Sequence, residues 1–355
     1  MLHDNNNNNN DNEDNESDNE QEKHLPIRKS RSRNLKLQKN DNNVPDNAII
    51  GEVSSVIGNK IIVEVNENDL VRKLDCVPAG TIIYKNNYSN LLATGDIVYV
   101  LENANTLSQN TLSQIIKIGD RKSKISRLDP SNRNKEQIIA ANIDLLIVFV
   151  SAFDPMINMR LIDRYLVAAK VNDVEPIICV NKMDLASKKD LQDILSYYKM
   201  LKIPIFYLSV LKDIGLKKLK KFISVRKSVI SGPSGAGKST FMNKILGYEA
   251  QVVREISERT SKGIHTTSYS CRYRLPEGGT IIDTPGIREF GIWDLAKFEL
   301  GVLFPGFSEF YSQCKFTSCT HTHEPDCAII KAVESGKINE EQYLSYLNIY
   351  ETLED

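Results

Sequence analysis

The sequence predicts three folded parts behind a polar tail: a small β-barrel, an open α/β sheet, and a short helical segment closed by a metal site. Three observations carry this expectation. Short β-type runs fill residues 48–118, strand-like and helical runs alternate over 119–300, and three cysteines with a histidine crowd into fourteen residues near the C-terminus.

With 355 residues the chain has room for two or three domains. A formal net charge of -1 supplies no bulk attraction for nucleic acid, so any basic patch must be local. No apolar run reaches the roughly eighteen residues of a transmembrane helix, and the start lacks the basic-then-apolar order of a signal peptide. No membrane association is therefore expected. Of the six cysteines, Cys76, Cys179 and Cys271 fall singly in or near strand-like runs, where a thiol behaves as a small buried hydrophobe. Nothing suggests a disulfide scaffold, and a reducing, cytoplasmic compartment is expected.

Residues 1–47 are of low complexity. Asp4 to Glu22 carries eight carboxylates among asparagines and no lysine or arginine; Lys23, Arg28, Lys29, Arg31, Arg33, Lys36 and Lys39 follow. Such a composition cannot bury enough apolar surface to offset its ordering entropy, so a disordered tail is expected, its basic half either solvated or touching RNA. The acidic opening argues against an organelle transit peptide.

From Ala48 the pattern changes. Ile49–Val56, Lys60–Val65, Gly80–Tyr84, Asp96–Leu101 and Ser113–Ile118 are short strand candidates separated by Gly, Asn and Asp. Gly58-Asn59 has hairpin-turn chemistry. Short strands at this spacing predict a small barrel, the five-stranded oligonucleotide-binding (OB) fold leading the candidates. A basic stretch follows (Arg121, Lys122, Lys124, Arg127, Arg133) and reads as irregular. Leu145–Val150 and Pro176–Val180 are then continuous apolar runs, as buried parallel strands require. Met159–Ala169 between them is helical, and Ile203–Leu208, Ser228–Ser231 and Thr280–Ile282 add further strands.

Gly232-Pro-Ser-Gly-Ala-Gly237-Lys238-Ser239 lies between the strand Ser228–Ser231 and a helix over Ser239–Leu246. Two glycines, four spacers, then Lys and Ser form the P-loop pattern. Backbone N–H groups from Ser234 through Gly235, Ala236 and Gly237 to Thr240 would converge on phosphates at a helix N-terminus, where a Cβ on the glycines would block the approach. Lys238 supplies a point charge to the β/γ oxygens and Ser239 a hydroxyl to Mg²⁺. Asp283-Thr284-Pro285-Gly286 follows the strand Thr280–Ile282. It places Asp283 to hold the magnesium shell through water and Gly286 to offer an N–H to the γ-phosphate.

Asn181-Lys182-Met183-Asp184 follows the strand Pro176–Val180. The Asp184 carboxylate can accept from guanine N1–H and the 2-amino group. Adenine presents an acceptor at N1 and lacks that amine, so a site of this kind rejects it by roughly 10⁴. Asn181 would brace the pocket, the Lys182 stem would cover the base, and Ser209-Val210 sits where a backbone N–H meets guanine O6. This guanine-reading motif precedes the P-loop by about fifty residues. Ordinary GTP-binding domains have the phosphate loop first, so the order predicts a circularly permuted GTPase.

Cys314-x4-Cys319-x-His321-x5-Cys327 is a Cys₃His set suited to tetrahedral Zn²⁺, and with no open position it reads as structural. His323 is an alternative to His321. The flanking helices, Ala328–Glu334 and Glu340–Leu353, have little core of their own, which a metal would compensate. Asn339 can cap the second, with Gln342 three residues on.

The order of these motifs resembles that of the ribosome small-subunit-dependent GTPase A family (RsgA, also called YjeQ), over roughly residues 48–355. Supporting stretches are Ala141-Asn142-Ile143-Asp144, Leu161-Ile162-Asp163-Arg164-Tyr165, Gly263-Ile264-His265-Thr266-Thr267 and Gly286-Ile287-Arg288-Glu289-Phe290. The resemblance implies a barrel at 48–118, a permuted GTPase at 119–300 and a zinc domain at 301–355, and gives the tail at 1–47 no counterpart. It implies hydrolysis of GTP to GDP, stimulated by the small ribosomal subunit, in late maturation of that subunit, with rRNA contact; a monomer is expected. Thr266 or Thr267 becomes the switch threonine on Mg²⁺. Ile287 stands where many GTPases place a water-orienting glutamine, so intrinsic turnover is expected to be slow, and His265 is the candidate to position the attacking water. Ile264 and Ser209-Val210 depart from the arginine and Ser-Ala usual in the family. A nucleotide-gated RNA-binding module with little turnover is the alternative reading.

Overall fold

The computed structural model describes residues 44–353 except Asn59, 68–69, Thr81, 83–87, 104–111, 130–131, Arg133, 250–269, 285–291 and 293–294. All the described elements belong to one unit, Asn42–Asp355.

The first five strands are β1 (Ile49–Ile57), β2 (Lys60–Glu67), β3 (Leu70–Pro78), β4 (Ile97–Leu101) and β5 (Ser113–Ile118). They run in the order β1-β2-β3-β5-β4, and β4 pairs back onto β1 to close the barrel. β3 and β5 are parallel and the other pairs antiparallel, the Greek-key arrangement of the OB fold. Period-two alternation turns Ile61, Val63 and Val65 inward against Val53, Leu74, Val98, Val100 and Ile115. β1 and β2 join through a two-residue turn between paired Ile57 and Lys60, with Gly58 at φ 59°.

The strand expected at Gly80–Tyr84 is not the barrel's third strand, and Thr81 and 83–84 of it lie outside the described residues. The third strand is Leu70–Pro78, and Gly80 and Ile82 are irregular. Arg72, Lys73 and Asp75 break its apolar signal because only Leu74 and Cys76 face the core. The basic stretch after the barrel is a second correction, since it forms a hairpin of β6 (Lys124–Leu128) and β7 (Glu136–Ala141). Several of its cations serve the fold. Arg121 grips buried Asp96 through two 2.6 Å hydrogen bonds, and Lys124 pairs with Glu136 at 2.5 Å.

The α/β part contains β8 (Leu145–Ser151), α1 (Met159–Val171), β9 (Glu175–Asn181), α2 (Gln192–Met200), β10 (Ile205–Tyr207), α3 (Leu216–Ile223), β11 (Lys227–Ser231), α4 (Lys238–Leu246), β12 (Cys271–Arg274) and β13 (Thr280–Asp283). Its strand order is β10-β9-β8-β11-β13-β12, parallel except for β12. Alternate residues of the central strands feed the two faces. Leu146, Val148 and Val150 pack beneath α1 and α2, while Leu145, Ile147 and Phe149 pack beneath α3 and α4. The first three strands in sequence form one half of this sheet and the last three the other. Exchanging the two blocks along the chain leaves the sheet unchanged, which is what permutation means physically.

β12 also ties the sheet to the barrel, pairing Cys271 with Ser55. Arg272, buried at this junction, reaches Glu64 at 2.6 Å and Glu52 at 3.1 Å; Arg274 adds a second bond to Glu64 and Lys227 one to Glu52. Charges this deep persist because each has a partner.

The C-terminal helices are α5 (Leu300–Leu303), α6 (Ala328–Glu334) and α7 (Glu340–Glu351). Ala328–Glu334 and Glu340–Leu353 were expected to have little core of their own, and the core they have is shared with α1. Phe304, Phe307, Ile329, Tyr346 and Ile349 form a single cluster with Ile162, Tyr165 and Leu166 of α1. Among the described residues no helix is long and apolar enough to cross a membrane.

Candidate functional site

Strand order reverses between β8 and β11, which opens a crevice beyond the carboxyl ends of the parallel strands. The P-loop leaves β11 there and runs into α4. Gly232 passes so close to β8 that a Cβ would stand 1.8 Å from the Phe149 carbonyl oxygen, so only glycine fits. Gly237 (φ 93°) precedes α4, and a Cβ on it would meet Asn181 Nδ2 at 2.5 Å. Lys238 is folded back, its ammonium donating to the Gly232 and Pro233 carbonyls at 2.6 and 2.7 Å. Burial lowers its pKa and the nearby charge of Asp283 pulls the other way. Ser234, Gly235, Ser239 and Thr240 are exposed along the loop and first helical turn, and Ala236 is buried.

The guanine-type motif leaves β9, which lies on the other side of β8 from β11, and Asn181 joins it to the P-loop. Its Nδ2 donates to the Ala236 carbonyl at 2.9 Å, and its Oδ1 accepts from the Val210 N–H at 3.1 Å. One buried side chain thus locks three loops from β9, β10 and β11. Asp184 is half-buried and accepts from the Ser209 hydroxyl at 2.6 Å, which lowers its pKa and keeps the carboxylate charged. Lys182 takes a left-handed conformation (φ 61°) and its ammonium donates to the Asp154 carbonyl. Asp283 ends β13, paired in register with Ile230 of β11. Gly286, His265, Thr266, Thr267, Ile264 and Ile287 lie outside the described residues.

Sequence reasoning missed the support behind this pocket. Ser231, the last residue before the P-loop, hydrogen-bonds the phenol of buried Tyr165 on α1 at 3.0 Å. The two residues are 66 positions apart, so no local pattern could reveal the pair.

The second cluster brings Cys314, Cys319, His321 and Cys327 together, with one ligand atom of each lying within 4.8 Å of the others. Cys314 Sγ and Cys327 Sγ are 3.9 Å apart, and His321 Nδ1 is 3.5 and 3.4 Å from them. Tetrahedral zinc, with Zn–S about 2.3 Å and Zn–N about 2.05 Å, sets S···S near 3.8 Å and N···S near 3.6 Å. The donor set therefore fits one such ion. Burial lowers the His321 pKa, which favours the neutral imidazole a metal needs, and pushes the Cys319 thiol up to about 12, which a divalent cation would reverse. His323 is exposed and turned to the Thr322 hydroxyl, so His321 is the histidine in the cluster.

Several unforeseen residues hold the cluster. On α7, Tyr343 and Tyr346 donate to the His321 and Thr320 carbonyls at 2.8 and 2.6 Å. Against the upward push of burial, hydrogen bonds from Thr320 keep Glu324 near pKa 2 beneath the same turn. Gly301 on α5 lies flat on the imidazole, where a Cβ would stand 2.3 Å from Nε2.

Comparison with known proteins agrees with this architecture. The model of the RsgA GTPase family matches residues 118–293. The small ribosomal subunit biogenesis GTPase RsgA of Chlorobaculum parvum is 39% identical, the match covering 86% of this chain and 98% of that protein. Its counterpart in Shewanella oneidensis is 32% identical over 93% of this chain and 92% of its own length. Among solved structures, YjeQ from Thermotoga maritima superposes with a TM-score of 0.64 at 27% identity, covering 86% of this chain and 98% of its own. YloQ, described as a circularly permuted GTPase, gives 0.63 at 25% identity, covering 86% and 94%. Permuted motif order, closed barrel and Cys/His cluster thus meet in one chain whose relatives match it over most of its length, and it belongs to the RsgA GTPase family.

Proposed function

We propose that this chain is a cytoplasmic GTPase that binds the small ribosomal subunit and its rRNA, acts in late maturation of that subunit, and turns over faster when bound to it. The observation that carries the nucleotide half is the Asn181 bridge, which holds the P-loop and the guanine-reading loops as one pocket. The ribosomal half is supported by family membership and by the relatives' names.

In this reading the base lies between the Lys182 stem and the loop at Ser209-Val210, with Asp184 accepting from N1–H and the 2-amino group. Ser209 orients that carboxylate through its hydroxyl. The amides from Ser234 to Thr240 and that of Gly286 cradle the phosphates. Lys238 exchanges its carbonyl partners for the β/γ oxygens. Ser239, Thr266 or Thr267, and Asp283 through water hold Mg²⁺, which when bound neutralises charge developing on the phosphates. His265 positions the attacking water when the subunit is bound. Ile287 offers no hydrogen bond to that water, which accounts for slow turnover by the free protein. Cys314, Cys319, His321 and Cys327 hold one structural zinc.

GTP hydrolysis is measured with small subunits, large subunits or neither. Acceleration by small subunits alone is expected. Binding to small subunits without acceleration would leave a nucleotide-gated RNA-binding module instead.

A further inference from the structure

On the sheet face away from the metal cluster, a groove of about 610 Å³ runs between α3 and α4. Four lysines line it, Lys217, Lys220 and Lys221 from α3 and Lys244 from α4, against the carboxylates of Asp213 and Glu277. Lys220 pairs with Glu277 at 3.1 Å and Lys244 with Asp213 at 2.8 Å. Lys217 and Lys221 are exposed and make no ion pair among the described residues, and neither does Lys218 beside them.

The helix itself offers no relief. α3 reads Leu-Lys-Lys-Leu-Lys-Lys-Phe-Ile, with Leu216, Leu219 and Ile223 buried and no acidic residue. Lys217 and Lys221 stand at i,i+4, and Lys217–Lys220 and Lys218–Lys221 at i,i+3, so each pair repels. A lysine-rich face that serves only solubility commonly carries glutamates at these spacings. This one concentrates unpaired ammonium groups beside a groove, an arrangement a polyanion relieves.

We propose that this groove docks the phosphate backbone of structured RNA, with Lys217 and Lys221 as the primary contacts. The proposal rests on the ribosomal reading above, since that partner is RNA-rich. Lysine is a point charge without base-reading geometry, so the contact anchors and orients and carries no sequence information. The walls also give the surface a place in the enzyme. α4 opens from the P-loop, α3 follows the guanine-reading loop, and the Lys244–Asp213 pair joins them.

The test uses the full-length protein and its Lys217→Gln/Lys221→Gln variant. Affinity for small ribosomal subunits, for a plain RNA duplex and for polyglutamate is measured across a salt series, alongside GTP hydrolysis without subunits. The variant is expected to bind both RNAs about tenfold more weakly at low salt, with the log–log salt slope reduced by roughly 1.5 for two lost phosphate contacts. Subunit-free hydrolysis should match wild type, since neither lysine touches the nucleotide pocket. Equal affinity and slope in variant and wild type overturns the proposal. If wild type does not bind small subunits, the ribosomal reading falls, while the duplex arm still decides the groove. Equal loss of affinity for duplex and for polyglutamate marks a surface that takes any polyanion rather than a phosphate-backbone dock, which also overturns it.

Discussion

Asp163 is fully buried on α1 at the seam with the C-terminal helices, where it accepts from the Tyr198 phenol at 3.0 Å. Burial pushes its pKa from the ordinary 3.8 to about 7, against the opposing pull of Ser345 on α7 and of Tyr198. The folded chain therefore holds a proton that the unfolded chain releases. Between about pH 4 and 7 the native state binds more protons, so this residue's contribution to stability falls as pH rises. At about 1.4 kcal/mol per pH unit, the full penalty of ionising it in place is roughly 4 kcal/mol. Asp163→Asn keeps an acceptor for Tyr198 and abolishes the ionisation. The stability of the variant relative to wild type should grow by roughly 2–3 kcal/mol between pH 5 and 8. Urea unfolding of both proteins at pH 5, 6, 7 and 8 measures this, and subtracting one curve from the other cancels groups that titrate alike in both, the cysteine ligands included. A gap that stays constant with pH, or narrows as pH rises, refutes the reasoning.

Two further outcomes follow from single close contacts. Gly301→Ala drives a methyl against the His321 imidazole and should weaken metal retention by roughly 10–100-fold in a chelator competition, with nucleotide affinity unchanged; equal retention would show that the ring has room to move. Asn181→Ala strips the Ala236 carbonyl and the Val210 N–H of their partner at a buried position, at about 1–3 kcal/mol for each group left unpaired. GDP affinity, read with a fluorescent analogue, should fall by roughly 10–100-fold on that account, and unchanged affinity would mean the loops hold without the bridge.

The elements most legible in the sequence were those whose signal is local. Leu145–Ser151 and Glu175–Asn181 are buried on both sides and read as apolar runs. β3 is buried on one side only, with Lys73 and Asp75 exposed and Arg72 half-buried among its apolar residues, so its pattern was lost. The β6–β7 hairpin was hidden for a related reason, because its cations advertise solvent while Arg121 and Lys124 are held by buried carboxylates. At the Cys/His cluster, spacing supplied four candidate ligands of two types but left the choice between His321 and His323 open. The choice came from Tyr343 and Tyr346, on a helix about twenty-five residues downstream, which fix the backbone around His321.

By itself the sequence determined the fold class, the permuted order of the nucleotide motifs and the composition of the metal donor set. Each is written in residues that are neighbours along the chain, where geometry follows directly from spacing. Only the tertiary structure decided that Asn181 clamps the P-loop 55 residues away. Only it decided that β12 is pinned to the barrel by Arg272, 208 residues from Glu64, and that the C-terminal helices share a core with α1. Such pairs are selected by which buried polar groups find partners and which apolar faces find cover when the whole chain packs. No window of sequence contains both members, so neither composition nor periodicity could have supplied them.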